Sequence, residues 1–302
     1  MGTAPTMLHD LYPSRVEQQP RFIERVDPVV WGGPEDGPLS AEQLEQFRRN
    51  GCLIVEGVFN ADETGQFNTR LDELSRDPDV RAQEGTITEP ESDEVRSVFD
   101  VHRDDPVFKE VAADPRVADI SRQILASDVY LHQSRINFKP GFAGKEFWWH
   151  SDFETWHTED GMPRMRALSA SITLTDNYEV NGPLMVVAGS QNTFVSTVGE
   201  TPDDNYKSSL KRQKVGVPDE ESLARLISDG EILTMTGKAG SVVFFDCNVM
   251  HASAGNITPF PRSNVFLVYN SVENALQEPF AAGRPRPEFL ANREVTPVGR
   301  GA

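Results

Sequence analysis

The stretch EFWWHSDFETWH, residues 146–157, holds two histidines, three acids and three tryptophans. Residues 146–153 are predicted to form a strand, and side chains two residues apart on a strand point to the same side. His150 and Asp152 therefore share a face, where an imidazole and a carboxylate can bind one divalent ion. His157 lies an odd number of residues from Asp152, so strand geometry does not bring it to that ion.

A third metal ligand must come from a distant part of the chain. Three histidines are poor candidates, because His9 lies in an irregular arm, His102 in a charged loop and His132 on the apolar face of a strand. His251 comes just after the apolar strand in VVFFDCNVMH, so it can face the mouth of a barrel. It would complete the two-histidine, one-carboxylate triad of non-haem Fe(II) oxygenases. A zinc hydrolase with similar ligands is the alternative.

A hairpin downstream of His251 predicts a site for an anion. Arg262 begins the next predicted strand, and the hairpin would bring its guanidinium back beside the metal, with Ser253 on the same side. An arginine fork and a hydroxyl suit a carboxylate, such as the distal one of a 2-oxo acid that chelates the metal. Taken alone, Arg262 is better explained as a surface residue in the turn after Pro261.

The segment VYLHQSRINFK, residues 129–139, alternates in character and predicts a long strand. Gln133, Arg135, Asn137 and Lys139 project from one of its faces. A polar row that faces solvent is the simpler interpretation. Inside a barrel the same row would form the wall of a binding pocket.

The order of predicted elements indicates a single mainly β domain, residues 1–302, with flanking helices. An irregular arm, 1–38, precedes two helices whose starts carry the capping-box spacing at Ser40/Gln43 and Asn60/Glu63. Residues 76–95 are acidic and are predicted to form a loop. A helical region at 106–126 is interrupted near Pro115. Strands dominate from residue 129, with a long polar insertion at 197–230 between them. Helices followed by many short strands favour a barrel or double sheet buttressed by N-terminal helices.

Composition excludes several classes of protein. The net charge is −18 with a pI near 4.7, which disfavours nucleic acid as a partner. No apolar run of about 18 residues predicts a membrane span. Cys52 and Cys247 are the only cysteines, far apart in sequence, and offer no disulfide framework, so a reducing cytoplasm is expected.

Several motifs resemble the phytanoyl-CoA dioxygenase superfamily of Fe(II)- and 2-oxoglutarate-dependent oxygenases. They are HSD at 150–152, NGPLMVVAGSQ at 181–191 and MHASAGNITPFPRSN at 250–264. The block FWWHSDFETWHTEDGMPRMRALSASI, residues 147–172, is more specific and resembles the ectoine hydroxylases within that superfamily. This similarity extends through most of the chain from about residue 20.

The resemblance implies a double-stranded β-helix (jelly-roll) fold, a homodimer, and hydroxylation of ectoine to 5-hydroxyectoine under osmotic stress. The cosubstrates would be 2-oxoglutarate and O₂, with release of succinate and CO₂. The implied Fe(II) ligands are His150, Asp152 and His251. The implied 2-oxoglutarate contacts are Lys139, Ser253 and Arg262, with Asn137 and Phe147 as lining. The implied ectoine contacts are Gln133, Trp156 and Arg286.

Two alternatives stay open from the sequence. One is a sister hydroxylase that acts on an amino acid or an acyl-CoA. The other is a barrel that binds a metal without catalysing a reaction, because a fold alone does not secure an activity. Glu154 and His157 are expected either to support the metal ligands from behind or to act structurally.

Overall fold

Two antiparallel sheets form the body of the protein, whose computed structural model describes residues 10–89, 93–210, 213–228 and 230–299. The strands are β1 (Phe22–Glu24), β2 (Cys52–Val55), β3 (Thr86–Thr88), β4 (Val95–Phe99), β5 (Val129–Lys139), β6 (Phe147–His150), β7 (Ala167–Thr173), β8 (Leu184–Val187), β9 (Thr193–Val195), β10 (Ile232–Met235), β11 (Val242–Asp246), β12 (His251–Ser253) and β13 (Arg262–Ser271). The large sheet has the order β2-β11-β7-β13-β5-β4-β3, and the small sheet has the order β10-β8-β12-β6.

Helices precede and connect these strands. They are α1 (Ala41–Asn50), α2 (Ala61–Arg76), α3 (Pro78–Arg81), α4 (Val101–Asp104), α5 (Pro106–Ala113), α6 (Pro115–Leu125), α7 (Asp152–Thr155), α8 (Tyr206–Ser209) and α9 (Glu220–Ser228). A π-helical turn, Trp156–Asp160, continues directly from α7. The sheets and helices together form a double-stranded β-helix with N-terminal buttressing helices, which confirms the predicted fold class.

The large sheet divides its side chains between two hydrophobic cores. On β11, Val242 and Phe244 pack on the side of the N-terminal helices, whereas Val243 and Phe245 pack on the inside. The inner cluster also contains Val186 of β8 in the small sheet, so it lies between the two sheets. Period-two alternation therefore buries both faces of the large sheet.

The helix boundaries follow the signals in the sequence. Ser40 and Asn60 both form complete capping boxes, with Gln43 and Glu63 as the reciprocal partners. α1 ends at Gly51, which adopts the left-handed conformation with φ 72°. The break predicted near Pro115 is the junction between α5 and α6.

Local structure departs from the prediction in three segments. The residues predicted as a loop, 76–95, contain α3 and β3. His102 lies in α4 and not in a loop. The strand predicted at 146–153 ends at His150, and Asp152 begins α7 because the amide of Phe153 donates to the carbonyl of Cys247 at 2.8 Å. β3 depends on its pairing with β4, and the amides of His102 in α4 and Phe153 in α7 donate to distant residues, none of which periodicity reveals.

The arm runs along the body in its described part, residues 10–38. Its short strand β1 pairs with β9, with Ile23 opposite Phe194. His9 and the rest of residues 1–9 lie outside the described residues. In the described ranges, no helix is both long enough and apolar enough to cross a bilayer.

Phe244→Ala tests the core between the large sheet and the helices. Phe244 is fully buried, so truncation leaves a cavity and should lower the free energy of unfolding by about 3–5 kcal/mol. Phe142→Ala is the matched control, because that ring is 71% exposed and its loss should change stability by no more than about 0.5 kcal/mol. Urea denaturation measures both, and equal effects would contradict this assignment of the core.

Candidate metal centre

Strand pairing in the small sheet brings the two metal-binding histidines together. β6 pairs antiparallel with β12, and His150 lies directly opposite His251 in the register. Their ring centroids are 4.3 Å apart. The 101 residues that separate them in sequence (251 minus 150) are therefore bridged by one pair of neighbouring strands.

Backbone carbonyls fix which nitrogen of each imidazole faces the centre. The Nδ1 of His150 donates to the carbonyl of Trp148 at 2.6 Å, and the Nδ1 of His251 donates to the carbonyl of Val249 at 3.0 Å. With the proton on Nδ1, each Nε2 carries a lone pair. Such a bond from the distal nitrogen is the usual way in which a protein orients a metal-bound histidine.

Asp152 completes the group from the first turn of α7. Its Oδ1 lies 3.6 Å from the Nε2 of His150, and its Oδ2 lies 3.8 Å from the Nε2 of His251. The Oδ2 atom is buried and has no hydrogen-bond partner. Within the described residues this is the one group of three or more His, Cys, Asp or Glu side chains whose possible ligand atoms all lie within 4.8 Å of one another. An orphaned carboxylate oxygen between two available imidazole nitrogens fits a divalent cation.

The protonation states of these side chains suit metal binding. Burial and the neighbouring His150 lower the pKa of His251 to about 4, so the imidazole is neutral at physiological pH. Burial alone would raise the pKa of Asp152, but the two histidines and Arg135 hold it below its ordinary value. The site therefore offers a carboxylate and a neutral imidazole without first releasing protons.

The three metal ligands line a cavity of about 500 Å³ between the two sheets. Gln133, Arg135 and Asn137 of β5 all line it. The polar row predicted on this strand therefore forms a cavity wall and does not face solvent. Arg135 packs over the ring of Phe266 at 4.2 Å, and burial lowers its pKa to about 10.

One end of the cavity gathers cationic side chains. Arg262 begins β13 directly opposite Lys139 at the end of β5. The Nζ of Lys139 donates to the Oγ of Ser253 at 2.8 Å and to the carbonyl of Ala254 at 2.6 Å. Arg262 donates through Nη1 to the carbonyl of Gly182 at 2.7 Å, while its buried Nε has no partner. Burial lowers the pKa of Arg262 to about 10.

Phe147 and Asn137 flank this cationic end. An irregularity in the pairing of β6 with β12 sets Phe147 opposite Ser253. The ring of Phe147 lies 5.4 Å from the Nζ of Lys139, and the amide oxygen of Asn137 accepts from the Oγ of Ser97 at 2.8 Å. The structure thus brings all five predicted 2-oxoglutarate residues together.

The predicted ectoine residues lie at the opposite part of the cavity. Gln133, Trp156 and Arg286 line the wall there. Trp156 also belongs to the inner core, and His157 beside it is fully buried. His157 stacks on Phe280 at 4.0 Å, which makes it structural.

An ion pair behind the cavity orients Arg286. Its Nε and Nη2 donate to the two carboxylate oxygens of Asp160, at 2.7 and 2.6 Å. His132, confirmed as buried, lies 3.3 Å from the same carboxylate. This bidentate pair fixes the guanidinium plane, although the irregular segment around Arg286 gave no pattern from which to predict its position.

Many residues that line the cavity were not predicted from the sequence, and Arg135 and Glu159 are two charged examples. Arg135 was placed in the polar row but not among the binding residues, although it lies between Gln133 and Asn137 on the same face. Glu159 lines the cavity from the π-helical turn, and strand or helix periodicity does not predict the direction of a side chain in such a turn.

Comparisons with known proteins agree with this geometry. The family described as phytanoyl-CoA dioxygenase (PhyH) matches residues 47–264. The chain is 56% identical to the ectoine dioxygenase of Stutzerimonas stutzeri, over 95% of this chain and 96% of that protein. It is 53% identical to the ectoine dioxygenase of Streptomyces coelicolor, over 99% and 100% of the two chains.

A solved structure extends the likeness to the fold. The crystal structure of EctD from S. alaskensis with 2-oxoglutarate and 5-hydroxyectoine superimposes with a TM-score of 0.87, at 49% identity, over 97% of this chain and 99% of that one. The family match covers most of the chain, and the two ectoine dioxygenases are more than 50% identical to it over at least 95% of its length. The chain therefore belongs to the phytanoyl-CoA dioxygenase family, in the group that contains the ectoine dioxygenases.

Proposed function

We propose that this chain hydroxylates ectoine to 5-hydroxyectoine. The reaction consumes O₂ and 2-oxoglutarate, and it releases succinate and CO₂: one oxygen atom enters the product and the other enters succinate. One observation carries the proposal: His150, Asp152 and His251 line a cavity. The cationic end of this cavity contains Arg262, and another part of its wall contains Trp156. The similarity to ectoine dioxygenases supports the choice of substrate.

His150, Asp152 and His251 would hold Fe(II) through two Nε2 atoms and a carboxylate oxygen. When bound there, the iron supplies what protein side chains lack, which is the ability to bind and activate O₂ and to transfer single electrons. The chain itself fixes the ligands through the carbonyls of Trp148 and Val249 and keeps Asp152 ionised. No side chain has to act as a general base for hydroxylation of a ring methylene.

The cationic end of the cavity would bind 2-oxoglutarate. Arg262 offers a guanidinium whose Nε is unpaired, and Ser253 offers a hydroxyl that Lys139 orients. A planar fork beside a hydroxyl matches the distal carboxylate of the cosubstrate. Asn137 and Phe147 would define the sides of this subsite.

The opposite wall would bind ectoine, a cyclic zwitterion with an amidinium and a carboxylate. Trp156 would contact the delocalised cation, and such cation–π contacts contribute about 0.5–2 kcal/mol. Arg135 and the Asp160-oriented Arg286 would attract the carboxylate. Gln133 donates to the carbonyl of Leu290 at 2.7 Å and accepts from Arg135 at 3.1 Å, so its amide is fixed and its oxygen keeps one lone pair for the substrate.

Product analysis tests the proposal. The protein, loaded with Fe(II), is incubated with 2-oxoglutarate, O₂ and either ectoine or proline, and the products are identified by mass spectrometry. Ectoine should gain one oxygen with one succinate released per product, whereas proline should remain unchanged. Hydroxylation of proline in preference to ectoine would indicate a sister hydroxylase. Absence of succinate in both reactions would indicate a barrel without activity.

His251→Ala should remove one of the three iron ligands. Iron bound per chain should fall well below one, and hydroxylation should fall by more than about 100-fold. His102→Asn is the control, because His102 bonds to Ser134 and does not line the cavity. Elemental analysis and turnover measure the two variants, and stoichiometric iron with full activity in His251→Ala would refute the ligand assignment.

Arg262→Ala should weaken 2-oxoglutarate binding and leave iron binding largely intact. The loss of charge-assisted hydrogen bonds, worth about 1.5–3 kcal/mol, corresponds to a rise in KM for 2-oxoglutarate of about 10- to 150-fold. Arg262→Lys keeps the charge but loses the fork, so its KM should lie between those of the two other proteins. An unchanged KM for 2-oxoglutarate in Arg262→Ala would contradict the proposal that Arg262 binds the cosubstrate.

Lys139 should take up a proton when 2-oxoglutarate binds near pH 8. Burial and the neighbouring Arg262 and Arg96 lower the pKa of Lys139 to about 6, so the free amine is mostly neutral at that pH. A bound dianion favours the ammonium and raises the pKa, and up to about one proton is bound. Calorimetry in buffers of different ionisation enthalpy measures this uptake.

The control for this uptake is a lysine outside the cavity. Lys139→Met should bind 2-oxoglutarate without proton uptake, whereas Lys238→Met should behave as wild type, because Lys238 is exposed. Equal uptake by wild type and Lys139→Met would show that another group takes up the proton.

Three further properties belong to the proposal. We infer one catalytic domain, because a single hydrophobic core includes both Val29 and Tyr269. The free, buried cysteines are compatible with a reducing cytoplasm. A homodimer remains a prediction, which analytical ultracentrifugation of the purified protein checks.

A further inference from the structure

Arg15 of the N-terminal arm is buried in an unusual backbone conformation. Its side chain has 0% relative exposure, and its φ of 60° is in the left-handed region, where residues other than glycine are uncommon. Its amide donates to the carbonyl of Thr197 at 2.9 Å. A strained residue persists only where its surroundings hold it in place, so the contacts of this side chain indicate its role.

The guanidinium of Arg15 joins two acids of the segment that follows the metal ligand Asp152. Nε and Nη2 donate to the two oxygens of Glu154, at 3.0 and 2.7 Å, and Nη1 donates to Glu159 at 2.6 Å. Both carboxylates are almost fully buried. Because Glu154 lies in α7 and Glu159 lies in the π-helical turn, one cation fixes both parts of the segment 152–160 against the arm.

The same cluster holds the start of the insertion, in its described residues 197–210 and 213–216. Nη1 of Arg15 donates to the hydroxyl of Thr201 at 3.0 Å, and the side-chain amide of Asn205 donates to the carboxylate of Glu159 at 2.8 Å. Gly216 lies so close that a Cβ there would be 2.4 Å from Glu154 and 2.6 Å from Arg15. The arm, the segment after Asp152 and the insertion therefore meet at one buried ion cluster.

This cluster lies directly behind the cavity. Thr155, Trp156 and Glu159 from the segment after Asp152 line the cavity, as does Asn205 from the insertion. Arg15 itself does not line it. We infer that Arg15 is a positioning residue for the substrate wall: it fixes the turn that carries Trp156 and holds the insertion over the cavity. The inference rests on the proposed function and adds a residue of the arm to the machinery of that site.

The cationic end of the cavity is independent of this cluster. Lys139, Ser253 and Arg262 make no hydrogen bond to Arg15, Glu154 or Glu159. Loss of Arg15 should therefore affect ectoine much more than 2-oxoglutarate. Misplacement of a substrate by about 1 Å can lower the rate about 100-fold. When the assay contains ascorbate as a two-electron donor, a misplaced substrate no longer has to supply these electrons, so 2-oxoglutarate and O₂ can still give succinate, CO₂ and water without hydroxylation.

Arg25 provides a matched control. It is a second buried arginine of the arm and pairs with Asp246 at 2.7 Å. It also donates to the carbonyls of Gln191 and Met165. None of these partners lines the cavity. Arg25→Ala should therefore lower stability as Arg15→Ala does, without changing how the cavity handles its substrate.

The experiment compares wild type, Arg15→Ala, Arg15→Lys and Arg25→Ala. Three quantities are measured: the KM values for ectoine and for 2-oxoglutarate, the hydroxyectoine formed per succinate, and hydrogen exchange of residues 197–210 in the metal-free protein. Arg15→Ala should raise the KM for ectoine by at least about 10-fold, with less than about a twofold change for 2-oxoglutarate. Its product-to-succinate ratio should fall, and exchange in 197–210 should accelerate.

Arg15→Lys keeps the charge but cannot span both carboxylates, so it should show the same changes at reduced size. It also carries the test if Arg15→Ala does not fold. The inference is overturned if the Arg15 variants match Arg25→Ala in all three quantities, or if Arg15→Lys is indistinguishable from wild type. If wild type makes no hydroxyectoine, the proposed function fails, whereas hydrogen exchange still decides the role of Arg15.

Discussion

The pairing of β6 with β12 is the constraint on which the site depends. It places His150 opposite His251 at the inner surface of the small sheet, and α7 starts at once so that Asp152 turns towards both rings. Three ligands gathered on one side leave the other side open to the cavity. An oxygenase requires this arrangement because cosubstrate, substrate and dioxygen must meet beside the same ion.

The cavity contains basic side chains although the protein as a whole is strongly acidic. The chain carries a net charge of −18, yet Arg135 of β5 and Arg262 of β13 line the cavity. Burial of these groups makes them strong attractors for carboxylates, because little water competes with an anion there. The acidic surface and the cationic end of the cavity thus serve different purposes: solubility for the first, and recognition of carboxylate-bearing small molecules for the second.

Alternation and capping made most of the fold predictable. The capping boxes at Ser40 and Asn60, the break at Pro115 and the polar row on β5 are local signals, and the structure contains all of them. The metal ligands were predictable because two of them lie close in sequence and the third follows an apolar strand. The π-helical turn, Asp160 behind Arg286 and the Arg15 cluster were not predictable. They arise from contacts between segments more than 100 residues apart, which no periodicity encodes.

X-ray absorption spectroscopy of the anaerobic, Fe(II)-loaded protein tests the proposed metal centre most directly. We expect one iron per chain, with two imidazole ligands, oxygen donors for the remainder and no sulfur. Added 2-oxoglutarate should change the oxygen shell and keep both imidazoles. An iron shell that contains sulfur, or that has fewer than two imidazoles in the wild-type protein, would contradict the proposed centre.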